Sequence, residues 1–259
     1  MSKFSLHFDW RPYAELDKFA LMARQDRNLG NSDKWFNCFR SGLRGLKARL
    51  KGVEIHYNDV HEWGKVNIND SILIEYHLSS VFFNMDSALE CFVFLLNSLG
   101  YAVEPASFVD ISDQQKLKTI KIGNIIGLKN ETLGYAKYFP YIKEYIMKNR
   151  DLLEIIIEQH DVSKHRMAIF TGGRCRFDPP EGFFKQRGIP ENDENKVLYA
   201  PFAEIMLMNE PKLPDSNRKS IPYKDYKKLE DIGPRFCIFI SELGYKAKND
   251  AQMRITPLL

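Results

Sequence analysis

Apolar residues recur at helical spacing along most of the chain. In YAELDKFALMARQ (13–25), Leu16, Phe19 and Ala20 share one face and Ala23 follows one turn later. In DKWFNCFRSGLRGLKARL (33–50), Trp35, Phe39, Leu43, Leu46 and Leu50 are spaced by four or three, with Lys and Arg on the far face and in the last turn. This predicts an amphipathic helix, and Gly52 is placed to end it. The following VEIHYNDVHEWGKV alternates at Val53, Ile55 and Tyr57 and reads as a short strand or irregular segment.

The strongest helical pattern runs from Asp70 to Leu99. Asn69 and Asp70 are suited to cap its start. Ile74, Leu78, Val81, Phe82, Met85, Leu89, Phe92, Val93 and Leu96 cover nearly all of its sides, the pattern of a central helix. Gly100 supplies a left-handed stop. SDQQ (112–115) matches a capping box with Ser112 as the cap, ahead of a helix carrying Leu117, Ile120, Ile122 and Ile125. Pro140 fits the first turn of another helix. Ile142, Tyr145, Ile146, Leu153, Ile156 and Ile157 follow, and the pattern ends in EIIIEQHDVSKHRMAIFTGG (154–173).

Beyond Thr171 the composition turns to Gly, Pro and charge, which reads as a long ordered loop to Asn195. KVLYAPFAEIMLM (196–208) fits a strand or a helix, and PKLPDSNRKSIP (211–222) a linker. YKDYKKLEDIGPRFCIFISELGY (223–245) predicts a final helix, with Gly233-Pro234 as a kink or break and Gly244 as its stop. The expected fold is mainly α. A core over 70–170 is flanked by an N-terminal helical extension over 1–69 and a loop-rich C-terminal extension over 171–259.

Composition narrows the functional classes. The chain is 44% hydrophobic, which argues against disorder, and its net charge of +3 does not by itself imply nucleic acid. Cys38, Cys91, Cys175 and Cys237 form no CxxC pair, so neither a thiolate zinc knuckle nor a dense disulfide scaffold is expected. The greasiest stretch, Cys91–Val103, falls short of the roughly 20 residues of a spanning helix, and the N-terminal residues lack an apolar signal region. The expectation is a cytoplasmic protein with no membrane partner.

The chemistry concentrates between positions 160 and 166. His160 and His165 lie five apart, about 140° in azimuth on one helix. Asp161, Ser163 and Lys164 stand between them and Arg166 follows. Histidine transfers protons near neutral pH, and Lys164 and Arg166 suit a phosphate. The same residues also suit a plain helix C-terminus. Asp86 and Glu90, four apart, share one face of the central helix and are placed to support a histidine. His56 and His61 with Glu62, or His77 with His160-Asp161, superficially resemble a metal phosphohydrolase set. The His-Asp doublet sits late, however, and the downstream acids fall in the Pro-rich segment, so no metal and no other cofactor is expected. TGGRCRF, with Arg174 and Arg176, and the basic run Lys212, Arg218, Lys219, Lys224, Lys227 and Lys228 are weaker phosphate or RNA signals.

A helical core whose last helix ends in a polar R-x4–6-H motif resembles the HEPN superfamily, the higher eukaryote and prokaryote nucleotide-binding domains. His160-Asp161-Val162-Ser163-Lys164-His165 has that spacing, polar second position and terminal histidine, with His160 standing where the family has arginine. SSVFFNMDSALECFVFLLNSLGY (79–101) also resembles the first core helix of a bacterial branch. The resemblance covers about residues 70–170. It implies an antiparallel helical bundle and a homodimer with a shared cleft. The implied role is in RNA processing or defence, such as a metal-independent endoribonuclease or toxin–antitoxin component, with His165, His160 and Asp161 as catalytic residues and Lys164 and Arg166 on the substrate. The alternative is a non-catalytic HEPN-like module that binds a protein or a nucleotide.

Overall fold

A computed structural model describes residues 6–26, 32–62, 68–126, 133–165, 168–175, 181–190, 192–194, 202–207 and 227–256. The protein is mainly helical. Its elements are α1 (Arg11–Asp26), α2 (Ser32–Glu62), α3 (Ile68–Val103), α4 (Gln114–Leu117), α5 (Gly123–Ile126), α6 (Leu133–Tyr138), α7 (Pro140–Lys148), α8 (Arg150–His165), β1 (Phe170–Cys175), α9 (Phe183–Gln186), β2 (Phe202–Leu207) and α10 (Leu229–Asp250). By packing, the chain divides into two discontinuous units, residues 1–6, 52–84 and 154–235, and residues 7–51, 85–153 and 236–259. These limits do not coincide with the boundaries at 69/70 and 170/171 that the sequence suggests.

The apolar positions expected on α3 are all buried, Ile74 and Leu78 through Leu96. Residues 71–103 are long and apolar enough to cross a membrane, yet 61% of the most apolar stretch is buried inside the protein, as expected of a core helix.

In the second unit, Leu16, Ala20 and Ala23 of α1 and Trp35, Phe39, Leu43, Leu46 and Leu50 of α2 are buried as their spacing predicts. Tyr13 is buried edge-on against Phe92, and its hydroxyl donates to the Ile240 carbonyl at 2.5 Å. Pro140 opens α7, whose first amides, Tyr141 N and Ile142 N, donate to the buried Asp250 carboxylate at 3.3 and 3.1 Å. Burial pushes the Asp250 carboxyl up to about 6 despite those two donors.

Several local expectations are corrected. Residues 53–62 continue α2. Val53, Tyr57 and Val60 are buried at i, i+4 and i+7 while Ile55 is exposed, so the helical period prevails over the apparent alternation. Gly52 does not end the helix; a Cβ there would meet the Asn84 side chain at 2.6 Å, so it marks a close approach of α2 to α3. Nor does Gly100 stop α3, which runs on to Val103; a Cβ at Gly100 would overlap the Phe108 ring. Gly134 approaches the same end of that ring, with a Cβ placed 2.5 Å from it. Gly244 lies inside α10 against Pro12 and Tyr13, and Pro234 is accommodated within the same helix.

The cap after Ser112 is Asp113, whose side chain accepts from Gln115 N and Lys116 N. It opens a single turn rather than a long helix. Ile120, Ile122 and Ile125 are nevertheless buried, held by the short α5 and the turns before it. The caps expected at Asn69 and Asp70 concern side chains outside the described part; α3 already begins at Ile68.

In the first unit, the first five residues of the stretch expected to be a loop over 171–195 belong to strand β1, paired antiparallel with β2. Gly173 permits the pairing, since a Cβ there would lie 2.5 Å from the Phe202 ring and 2.8 Å from the Glu204 carbonyl oxygen. The Glu75 carboxylate of α3 accepts from Ile169 N and Phe170 N at 2.8–3.0 Å and so holds the start of β1. At the other strand, Glu230 accepts from Ile205 N at 3.0 Å.

Candidate functional site

The C-terminal turns of α8 separate the residues that the sequence groups together. His160 is 9% exposed, with its ring edge-on to Phe83 of α3 at 5.5 Å. Its carbonyl accepts from the Ser163 hydroxyl at 2.9 Å. Val162 is buried, whereas Asp161 and Lys164 are exposed. Three residues apart, Asp161 and Lys164 lie on one helix face, and the backbone position of His165 shares that face in register. The His165 side chain and the whole of Arg166 lie outside the described residues. The helix therefore presents an acid and an amine outward, while His160 packs against the Phe83 ring.

Asp86 and Glu90 belong to the second unit, unlike His160. Asp86 is half-buried and Glu90 exposed. Glu90 borders a groove of about 310 Å³ with Ser41, Cys91, Phe94, Lys118 and Ile120. Burial, with Glu90 adding to it, pushes the Cys91 thiol up, so this groove does not hold an activated thiolate.

Two weaker sequence signals are drawn into ion pairs. Arg174 and Lys228 both face Glu204 at 3.4 Å, and Lys227 meets Glu158 at 3.2 Å. Lys212, Arg218, Lys219, Lys224 and Arg176 lie outside the described residues.

Outside the α8 motif, His7 is exposed, and the other three histidines fall into two environments. His61 is buried, with Nδ1 3.3 Å from the Phe202 carbonyl and Nε2 3.3 Å from Glu230. Burial raises the Glu230 carboxyl to about 7. A carbonyl only accepts, so Nδ1 carries the proton toward Phe202, and the Glu230 carboxyl lies beside Nε2. His61 is thus engaged in the core.

His56 and Asp59 of α2 and His77 of α3 converge instead. One nitrogen from each ring and one carboxylate oxygen lie within 4.8 Å of one another, and all three residues are half-buried. The two Nδ1 atoms are 3.0 Å apart and His77 Nδ1 is 3.4 Å from Asp59 Oδ2. Tyr76 stands edge-on to both rings. Burial and the neighbouring His77 push the His56 imidazole below its ordinary value, against the pull of Asp59. The sequence expectation had grouped these histidines with His61, Glu62, His160 and Asp161. The structure pairs them with each other, and adds Asp59.

Comparisons with protein-family models, curated proteins and solved structures gave no match.

Proposed function

We propose that the chain is a HEPN-like antiparallel bundle that binds RNA through the exposed end of α8, without cleaving it. The observation that carries this reading is the split of the motif. Asp161 and Lys164 face outward with the backbone position of His165, while His160 is packed against Phe83 where the family's permanent cation would stand. A buried imidazole lacks the permanent charge and the donor fork of a guanidinium beside a scissile phosphate.

A homodimer is part of the proposal. Ile72, Tyr76 and Phe83 of α3 are exposed and fall on one helical stripe, and Phe83 also contacts His160. Most of the apolar surface expected to drive association, at 78–96, is instead consumed in the core. Light scattering should return twice 30.2 kDa; a strict monomer removes the shared cleft.

The test is binding of single-stranded RNA by anisotropy at several salt concentrations. Lys164→Gln should weaken binding and lower the salt slope by about one charge. No change in affinity or slope would overturn the assignment of this face.

A metal-independent ribonuclease is the second reading, favoured by the register of His165 with exposed Asp161 and Lys164. Cleavage that persists in chelator and is lost in His165→Ala would establish it in place of the binding-only reading.

A further inference from the structure

We propose that His56, Asp59 and His77 form a binding site for a divalent first-row transition ion, with zinc as its natural class of occupant. The site is independent of the α8 reading. His56 and Asp59 are three residues apart on α2 and therefore share a face. His77 is supplied by α3, so the three donors come from two rigid elements.

The geometry is close to what an ion needs. A tetrahedral zinc ion about 2.0–2.1 Å from each donor spaces pairs of donors about 3.3–3.4 Å apart. The Nδ1–Nδ1 separation is 3.0 Å and the His77–Asp59 separation is 3.4 Å. All three donor atoms lie within 4.8 Å of one another, and with 34% of its side chain exposed Asp59 has room to rotate. Two imidazoles and a carboxylate suit zinc among the abundant divalent ions, whereas magnesium and calcium prefer oxygen donors. Three protein ligands leave a fourth position for water or an anion.

No thiolate enters the set, which gives the site a spectroscopic signature. The cobalt(II)-loaded protein should show visible ligand-field bands without a sulfur charge-transfer band. Zinc chloride titrated calorimetrically into the full chain, first stripped with chelator, should give one ion per chain. His56→Ala and His77→Ala should each weaken binding by at least about tenfold, the lower end for losing even a supporting partner of a ligand. His7→Ala, at an exposed histidine outside the cluster, should not change it. Circular dichroism of each stripped variant establishes that it is folded. Should His77→Ala fail to fold, Asp59→Asn, at the more exposed position, carries the same comparison. Absence of one-to-one binding, equal binding by folded ligand variants, or a thiolate band in the cobalt spectrum would each overturn the proposal.

Discussion

Replacing Glu230 with Gln should remove a specific decline of stability between pH 5 and pH 8. The Glu230 side chain is 15% exposed, and burial raises its carboxyl from 4.5 to about 7. Between those values the folded protein holds a proton that the unfolded chain has lost. Stability therefore falls as pH rises through this window. At about 1.4 kcal/mol per pH unit, the displacement corresponds to about 3 kcal/mol. Glutamine keeps the shape and accepts from Ile205 N without taking on a charge. At pH 5 the two proteins should be nearly equal in urea-unfolding free energy. At pH 8 Glu230→Gln should be the more stable by about 3 kcal/mol. Asp250, also raised by burial, gives a decline of the same sign in both proteins, and it cancels in the difference. Two parallel stability profiles, or a variant less stable than the parent at pH 8, would refute the reasoning.

Gly100→Ala should destabilise the protein although alanine is the better helix former by about 1 kcal/mol, because its methyl overlaps the Phe108 ring. Overpacking of this kind costs about 1–3 kcal/mol, and Gly100→Ala combined with Phe108→Leu should recover part of the loss in a thermal melt. His160→Arg should lower stability by about 1–3 kcal/mol, because a guanidinium enters a site where His160 is 9% exposed. An unchanged melting temperature with stronger RNA binding would show instead that the side chain reaches the outer face.

The helices were legible where one period dominated. On α3 the apolar residues run for many turns, and no other reading competes. Near residue 55 two readings competed over one short window. Tyr57 belongs to both the alternating set with Val53 and Ile55 and the helical set with Val53 and Val60, and only packing distinguishes them. Glycine was ambiguous for a different reason. Gly52, Gly100 and Gly244 carry the same letter as a left-handed stop, yet each is needed for close approach to a side chain. β1 was missed because its pairing with β2 joins segments about thirty residues apart, across a stretch rich in Gly and Pro. The α8 cluster was visible as a run of polar residues, but the inward turn of His160 depends on Phe83, far away in sequence. The convergence of His56 and Asp59 with His77 was hidden doubly. The strand reading would have put His56 and Asp59 on opposite faces, and His77 meets them only through the contact of two helices.

Gly52 sets a spacing that matters beyond its own contact. It lies one turn before His56, and its missing side chain lets α2 come against Asn84, two turns beyond His77 on α3. The interhelical distance that this permits is the distance across which the three donors must reach a common point. Gly52 would therefore bear on the proposed ion through the helix spacing, without touching it. A bulkier residue there would spread the donors, and ion affinity would drift before the helices themselves came apart.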